Sequence, residues 1–377
     1  MTNNEYCFLH PVFTAVTLIL IAFSFLEVYN YKNYKAVWIV VFGMIVFVGF
    51  RDWIGADYGA YVQMYEYFGQ RTAYSTVYNK AFFSGSERLE VEWLYVLIGK
   101  YVYDFGFPFF IFTFVIALFS IVPKYFTFEN AVVYPSLSLL LYMFPSYFTA
   151  DGGHMRQAMS MSILIFSFYF IKKRNLPLFL LMVYLAMGFH KSAVVFIFAY
   201  WIVLLPITKT RIIIALVISA ILSPFQLYQY FSLLDTLAPA EVYEGFSAYE
   251  MIENTDTGKI NFTDMMVIFY SYFLIFYNRE ACEKIPYYEY MRNIALFGMC
   301  LYFIFRGSPI FSSRLAMIYM IFIVMVLPNI IAAVEDDKHR KYLHFIVVCF
   351  VVFYYFVYAS FQSRAGYIMD VYRNYLW

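Results

Sequence analysis

The chain has 377 residues, of which 63% are hydrophobic and 24% are aromatic, and its formal net charge is +1. Only 14% of the residues are charged, against about 25% in ordinary soluble domains, so the composition excludes a soluble globular protein. The near-neutral charge gives no indication of nucleic-acid binding, and no GxxxxGK(S/T) or GxGxxG stretch indicates a nucleotide site.

Apolar runs that approach the roughly 20 residues of a membrane span recur along the whole sequence. They predict an all-α polytopic membrane protein, with residues 1–377 forming a single integral membrane domain. We predict about 12 transmembrane helices, at roughly 11–30, 36–50, 107–123, 131–149, 155–171, 176–190, 192–207, 211–231, 263–277, 290–306, 314–334 and 342–361. A shorter apolar stretch, residues 92–104, contains Lys100 and is predicted to be an interfacial or re-entrant helix within an outer segment, 51–106.

The distribution of lysine and arginine near the span ends predicts the orientation of the chain. The N-terminal tail has Glu5 and no basic residue, whereas Lys32 and Lys35 follow the first span, so the N-terminus is predicted to lie outside. Further predicted inner loops carry Lys172-Lys173-Arg174, Lys209 with Arg211, Arg279 with Lys284, and Lys338-His339-Arg340-Lys341. The tail lacks the basic n-region and A-x-A site of a cleaved signal peptide.

This orientation places several basic residues at outer membrane edges, where basic residues are normally scarce. They are Arg51, Arg156, Lys191, Arg306 and Arg314. One such residue alone is commonly a snorkelling anchor. Because charge at a membrane edge is costly, a group of them indicates a path for a substrate or an ion.

The stretch 51–61, directly after the second span, combines basic, acidic and aromatic residues. Arg51 offers a planar fork of donors that suits a phosphate or a carboxylate. Asp57 is suited to orient that fork, or to accept a proton from a hydroxyl. Gly55 and Gly59 permit turns with positive φ. The alternative interpretation is an interfacial aromatic belt.

The turn 151–154 leads into a helix whose first turn carries Arg156 and Gln157. A helix N-terminus favours anions, so an arginine there implies either a bound anion or an acidic neighbour, for which Asp151 is the ordinary candidate. His190 and Lys191 join the next two spans. A histidine there can donate a proton or bind an anion, although a lone interfacial histidine is usually only a polar tip.

Residues 232–262 are predicted to form an acidic outer loop. The acidic residues between 232 and 264 are Asp235, Glu241, Glu244, Glu250, Glu253, Asp256 and Asp264, beside one lysine, Lys259. A solvated acidic face is the default interpretation. The functional alternatives are a carboxylate that acts as a base, or a lid over a cleft.

The four cysteines show neither CxxC nor CxxH spacing. They are Cys7, Cys282, Cys300 and Cys349. The sequence therefore predicts neither a disulfide framework nor a metal site.

Several of these residues together carry a resemblance to a known family. The pattern is Arg51…Gly55-Ala56-Asp57-Tyr58…Tyr61, then Glu92-Trp93-Leu94, then Met155-Arg156-Gln157…Phe170-Ile171-Lys172-Lys173, then Phe189-His190-Lys191-Ser192-Ala193, with Arg314-Leu315 further on. In order and spacing, from about residue 12 to about residue 330, the chain resembles the EpsG family, which comprises Wzy-like polymerases of bacterial exopolysaccharide, capsule and O-antigen.

The resemblance implies a GT-C-like fold in the bacterial inner (cytoplasmic) membrane, with an active site that faces the periplasm or the exterior. It implies a glycosyltransferase that transfers a growing glycan from undecaprenyl diphosphate to the non-reducing sugar of a lipid-linked repeat unit. The implied mechanism is inverting and needs no metal, other cofactor or nucleotide sugar. The implied partners are the lipid-linked glycan and membrane lipid; a chain-length co-polymerase and a flippase are left open.

Under this resemblance the leaving group is a lipid diphosphate, whose developing charge is stabilised well by bidentate arginines. The expected catalytic residues are Asp57 as base, His190 as donor or charge partner, and Arg156. The residues expected to bind the diphosphate are Arg51, Arg156, Gln157, Lys191 and Arg314, and those expected to bind sugar are Tyr58, Tyr61 and Glu92.

Two other classes of protein stay open. A flippase or transporter of lipid-linked oligosaccharide would use similar basic groups, but near the bilayer midplane and with repeat symmetry that this sequence does not show. A membrane acyltransferase would need a buried histidine with an Asp or Asn partner, which His190 alone does not supply.

Overall fold

The computed structural model describes residues 11–30, 32–55, 57–82, 91–227, 262–308, 311–355 and 372–376. Within these ranges every regular element is a helix, and the single β contact is an isolated antiparallel bridge between Arg51 and Asn374. The all-α prediction is therefore confirmed for the described part of the chain. The chain forms two compact units: unit 1 is Met1–Ile197 with Val334–Trp377, and unit 2 is Phe198–Ala333.

The helices of unit 1 vary widely in length. They are α1 (Pro11–Asn30), α2 (Val37–Gly49), α3 (Tyr58–Arg71), α4 (Tyr74–Phe82), α5 (Trp93–Asp104), α6 (Phe109–Ala131), α7 (Pro135–Tyr142) with a π-helix (Met143–Asp151), α8 (Met155–Lys172), α9 (Leu176–Met187), a 3₁₀-helix (Lys191–Phe198) whose last residue belongs to unit 2, and a late helix (Asp337–Phe353). The predicted helix at 92–104 is present as α5. The segment 51–106 contains two further helices, α3 and α4, that the hydropathy pattern did not predict.

Unit 2 is also helical in its described residues. Its elements are Ala199–Ile202, Lys209–Leu222 followed by a 3₁₀ turn (Ser223–Phe225), Phe262–Lys284, Tyr288–Ile304, a π-helix (Ser312–Ala316), Met317–Met320 and Ile323–Ala333. Residues 232–261 of the predicted acidic loop lie outside the described residues. Asp264, which was grouped with that loop, begins a helix and is only 4% exposed, so it is not part of a solvated acidic face.

Three helices in the described residues are long and apolar enough to cross a membrane: Pro11–Asn30, Phe109–Ala131 and Arg314–Ala333. Val37–Gly49, Leu176–Met187 and Lys191–Ile202 are apolar but shorter. Together with the composition, these helices are those of a membrane protein. The number of about 12 spans stays a prediction.

The helix bounds differ from the predicted spans where polar or irregular backbone interrupts an apolar run. The span predicted to end at residue 123 continues as α6 to Ala131, because the charge of Lys124 is compensated inside the protein. The span predicted at 131–149 divides into α7 and a π-helix, since Phe144 has non-helical φ and ψ angles and Pro145 has no N–H to donate. The predicted span 192–207 is a 3₁₀-helix and a short α-helix that ends at Ile202.

An aromatic core joins α3, α5, α6 and α8. The Tyr65 ring stacks on Phe112 with their centroids 5.3 Å apart, and Tyr95 meets the same ring edge-on at 5.2 Å. Tyr61 and Met155 belong to the same buried cluster. Because large rings bury much apolar area and fix helix spacing, this core holds the start of α8 beside α3 and α5.

Candidate functional site

A close approach of Gly55 to Gly152 brings the Arg51 segment, by which we mean Arg51–Gly55 with Asp57 and Tyr58, against the turn before α8. Gly55 has a φ of +109°, and a Cβ atom there would lie 2.6 Å from the carbonyl oxygen of Gly152. Only glycine fits both the backbone angle and this approach. A Cβ atom on Gly153 would lie 2.7 Å from the carbonyl oxygen of Thr149, in the turn that precedes it. The sequence indicated a turn at Gly55, and the structure shows the contact that requires a glycine there.

The start of α5 is held by the end of α9. The N–H groups of Leu94 and Tyr95 both donate to the carbonyl of Gly188, at 2.9 and 3.1 Å. A Cβ atom on Gly188 would lie 2.7 Å from Leu94 Cβ, so the two helices meet without intervening side chains. This contact places Glu92, which precedes α5, beside Lys191, which follows α9.

Arg156 forms an ion pair with Glu92. Its Nη1 donates to Glu92 Oε2 at 2.6 Å, and the Lys191 backbone N–H donates to Glu92 Oε1 at 3.3 Å. The acidic neighbour expected for Arg156 is thus Glu92 and not Asp151, because tertiary packing brings α5 to the start of α8. The Arg156 guanidinium also lies 6.0 Å from the centre of the Tyr61 ring.

Arg156 keeps unused donor capacity. Its side chain is 27% exposed, and its Nε has no hydrogen-bond acceptor among the described residues. A guanidinium has five N–H donors, and a charged group left partly unsatisfied in a protein is costly unless a ligand completes it. The Nε itself is buried, so an anion would bind Arg156 at the exposed part of its guanidinium.

Asp57 pairs with His154 on the other side of the same turn. Asp57 Oδ2 lies 3.0 Å from His154 Nδ1, and the two side chains are 46% and 51% exposed. An exposed pair of this kind contributes little to stability. An accessible carboxylate that orients an imidazole is, however, the arrangement used for general acid–base catalysis. The structure makes His154 the partner of the candidate base.

A second ion pair is fully buried below the turn. Lys124 Nζ lies 2.9 Å from Asp151 Oδ1, and the side chains are 1% and 0% exposed. Ser120 Oγ donates to the same carboxylate at 2.6 Å, and the Tyr142 hydroxyl also donates to it. Sequence reasoning placed Lys124 just beyond a span and did not assign it a role. The signal was present, because a lysine directly after an apolar run is rarely buried without a partner.

Arg51 is buried beside this pair. It is 2% exposed, and its Nη1 and Nε donate to the carbonyls of Val48 and Ile54 at 2.6 and 3.1 Å. No carboxylate among the described residues lies within ion-pair distance of Arg51. Of the buried groups Arg51, Lys124 and Asp151, two are basic and one is acidic, so Asp151 can compensate only one of the two positive charges.

The ring of Tyr58 lies against the Arg51 guanidinium, and the ring of Tyr61 lies against the Arg156 guanidinium. They are 2% and 3% exposed, and the Arg51 guanidinium lies 5.7 Å from the centre of the Tyr58 ring. Burial raises the pKa of Tyr61 by more than the nearby Arg156 charge lowers it, so this phenol stays protonated at neutral pH. These rings hold the arginines in place through cation–π contacts.

The other predicted residues are distributed as follows. His190 Nδ1 lies 3.1 Å from the Ser192 hydroxyl, and Lys191 is exposed next to it. Gln157 is half-buried in the first turn of α8. Arg314 lies in unit 2, in the π-helix Ser312–Ala316, so it belongs to a different compact unit from the rest.

Arg306, also in unit 2, already has an acidic partner. Its Nε and Nη2 donate to the two carboxylate oxygens of Asp264, at 2.7 and 2.6 Å. Such a bidentate pair satisfies both groups. The basic charge at Arg306 therefore has a structural explanation.

Comparison with known proteins gives one match. Residues 34–370 match the EpsG family. No curated protein and no solved structure matches the chain. The family match supports a polysaccharide-polymerase type of role in a membrane protein. Since it covers most of the sequence and includes both pairs at the start of α8, the chain belongs to the EpsG family.

Proposed function

We propose that the protein joins undecaprenyl-diphosphate-linked oligosaccharide repeat units on the outer face of the bacterial inner membrane. The observation that carries this proposal is the convergence of four distant segments at the start of α8. Glu92 and Arg156 are 64 residues apart, Glu92 and Lys191 are 99 apart, and Asp57 and His154 are 97 apart. The proposal includes the predicted topology of about 12 spans with these segments outside.

Basic groups would bind the diphosphate of the donor. Arg156 would present the exposed part of its guanidinium to the phosphates, with the exposed Lys191 and with Gln157 beside it. Buried Arg51 would contribute positive potential without touching the ligand, since it is only 2% exposed and its Nε and Nη1 donate to backbone carbonyls. Fixed charges in a low-dielectric surrounding stabilise a developing anion strongly. Arg314 stays a predicted diphosphate-binding residue.

The Asp57–His154 pair would act on the acceptor sugar. As the acceptor hydroxyl oxygen forms its bond to the anomeric carbon of the donor, the bond from that carbon to the diphosphate oxygen breaks. The hydroxyl proton passes to the Asp57–His154 pair, and the electron pair leaves on the diphosphate. This single displacement inverts the anomeric centre and needs no metal. His190 would serve as a nearby charge partner.

Purified protein supplied with defined undecaprenyl-diphosphate repeat units tests the proposal. Chain lengthening, seen as a ladder on a gel, is the expected result. The same preparation in vesicles should not move the lipid-linked units across the bilayer. Translocation without any lengthening would instead identify a flippase and overturn the polymerase.

A further inference from the structure

A segment near the other end of the sequence lies against the Arg51 segment. The N–H of Asp52 donates to the carbonyl of Arg373 at 3.0 Å, and the N–H of Tyr375 donates to the carbonyl of Phe50 at 2.9 Å. These bonds flank the antiparallel bridge between Arg51 and Asn374. The backbone on both sides of Arg51 is therefore held by a strand-like contact from residues 372–376.

Side chains anchor the 372–376 segment firmly. The Tyr372 hydroxyl donates to the carbonyl of Phe47 at 2.8 Å, across 325 residues of sequence, and its ring meets Phe13 edge-on at 4.9 Å. Asn374 is 4% exposed and donates to the Tyr372 hydroxyl at 2.7 Å. Buried and hydrogen-bonded polar groups of this kind fix one arrangement of the chain, because any other arrangement leaves them unsatisfied.

Tyr375 connects this segment to the candidate site. Its ring stacks on Phe110 at the start of α6, with centroids 4.7 Å apart and planes 28° from parallel. Burial raises the pKa of Tyr375, and the neighbouring Tyr58 and Asp52 raise it further. Tyr375 thus lies between the first turn of α6 and both ends of the Arg51 segment.

We propose that residues 372–376 position the Arg51 segment for the reaction, with Tyr375 as the positioning residue. The role in the reaction rests on the proposed function. The physical reason is that the Arg51 segment joins α2 to α3 without helical hydrogen bonds of its own, so the positions of Arg51 and Tyr58 depend on tertiary contacts such as those from residues 372–376. A displacement of about 1 Å in a reacting group can lower a rate by on the order of 100-fold.

Accessibility of a buried reporter tests the positioning directly. In full-length protein with its native cysteines replaced by serine, Ile54→Cys places a thiol at a residue that is 5% exposed. Adding Tyr375→Ala should speed labelling of this thiol by a membrane-impermeant maleimide by about tenfold, which corresponds to about 1.4 kcal/mol of docking free energy. Leu376→Ala is the matched control, because Leu376 is about as exposed as Tyr375 (56% against 46%) but lacks the ring that stacks on Phe110, and it should leave the labelling rate unchanged. A thiol introduced by Trp53→Cys, at a residue that is 60% exposed, should be labelled equally fast in all backgrounds.

Glycan lengthening by the native-cysteine protein provides the second readout. Tyr375→Ala should lower kcat by on the order of tenfold to 100-fold with little change in KM for the lipid-linked unit, since the substrate contacts themselves remain. Tyr375→Phe keeps the ring on Phe110 and should retain more activity than Tyr375→Ala. Both variants should elute as the parent protein does on gel filtration.

The two readouts separate the possible failures. Equal labelling of the thiol introduced by Ile54→Cys, with and without Tyr375→Ala, would overturn the positioning. Faster labelling with unchanged kcat would overturn its link to the reaction. Parent protein that lengthens no glycan would refute the polymerase, and the labelling comparison would still decide whether residues 372–376 hold the Arg51 segment.

Discussion

At the scale of single residues, Arg156 shows how a sequence-based expectation compares with the observed contacts. Its position at the start of a helix implied an anion or an acidic neighbour. The structure supplies Glu92 as the neighbour and leaves the Nε of Arg156 without an acceptor among the described residues. A guanidinium that is oriented by one carboxylate and keeps further donors is suited to bind a phosphate.

Arg156→Lys should lower the rate of glycan lengthening by about 100-fold to 1,000-fold, the loss typical when one donor to a developing anion is removed. Lysine keeps the charge and the pair with Glu92 but loses the planar fork. The rate would be measured from ladders formed by purified protein that is monodisperse on gel filtration. Arg279→Lys is the matched control, since that side chain is 90% exposed and pairs only with Glu283 among the described residues. Full activity of Arg156→Lys would remove this residue from the site.

At the scale of helices, the site depends on how α6 and α8 are fixed. The buried Lys124–Asp151 pair links the middle of α6 to the turn that precedes α8. Hydrogen bonds from Ser120 and Tyr142 satisfy the same carboxylate. Breaking a buried pair by removing one partner is far more harmful than removing both, because one change leaves an uncompensated charge.

Lys124→Met and Asp151→Asn should each destabilise the protein by about 3–5 kcal/mol. The double variant, Lys124→Met with Asp151→Asn, should be less destabilised than the sum of the single changes, since neither member of the pair is left charged without the other. The melting temperatures of the purified proteins in one detergent give the comparison. Strictly additive losses would show that the two groups do not interact.

Gly55→Ala should lower the rate of glycan lengthening by more than the accompanying loss of folding stability would explain. The new Cβ would meet the Gly152 carbonyl at 2.6 Å and would force a residue with a φ of +109° into strain of about 1–3 kcal/mol. The Arg51 segment must then move away from the turn before α8. Gly43→Ala is the control, because its Cβ would make an ordinary contact of 3.7 Å. Equal activity of the two variants would contradict the close approach as a requirement of the site.

At the scale of the whole molecule, the distribution of basic loops predicts the orientation in the membrane. The Arg51 segment is predicted to lie outside, and the basic stretch 338–341, which lies at the start of the helix Asp337–Phe353, is predicted to lie inside. Both regions offer positions for single-cysteine reporters, at Trp53 and Lys338.

Trp53→Cys should react with a membrane-impermeant maleimide in intact cells, whereas Lys338→Cys should react only after the cells are permeabilised. The background is the protein with its native cysteines replaced by serine. The reverse pattern would invert the topology and would place the candidate site in the cytoplasm, where the proposed reaction does not occur.

Much of this architecture could be predicted because it depends on local properties of the chain. The helices Pro11–Asn30 and Met155–Lys172 agree closely with predicted spans, since long apolar runs leave no other way to satisfy backbone groups in lipid. Lys124 could not be assigned in this way. Hydropathy counts its charge but not the carboxylate that compensates it.

The class of protein, the all-α character and the family could all be read from the chain alone, because composition, apolar periodicity and motif order are local properties. The pairings required the folded molecule: Arg156 with Glu92, Asp57 with His154, Lys124 with Asp151, and Arg51 with Asn374. These partners are far apart in sequence. Their meeting depends on which helix faces pack together, and packing depends on the shapes of many side chains at once.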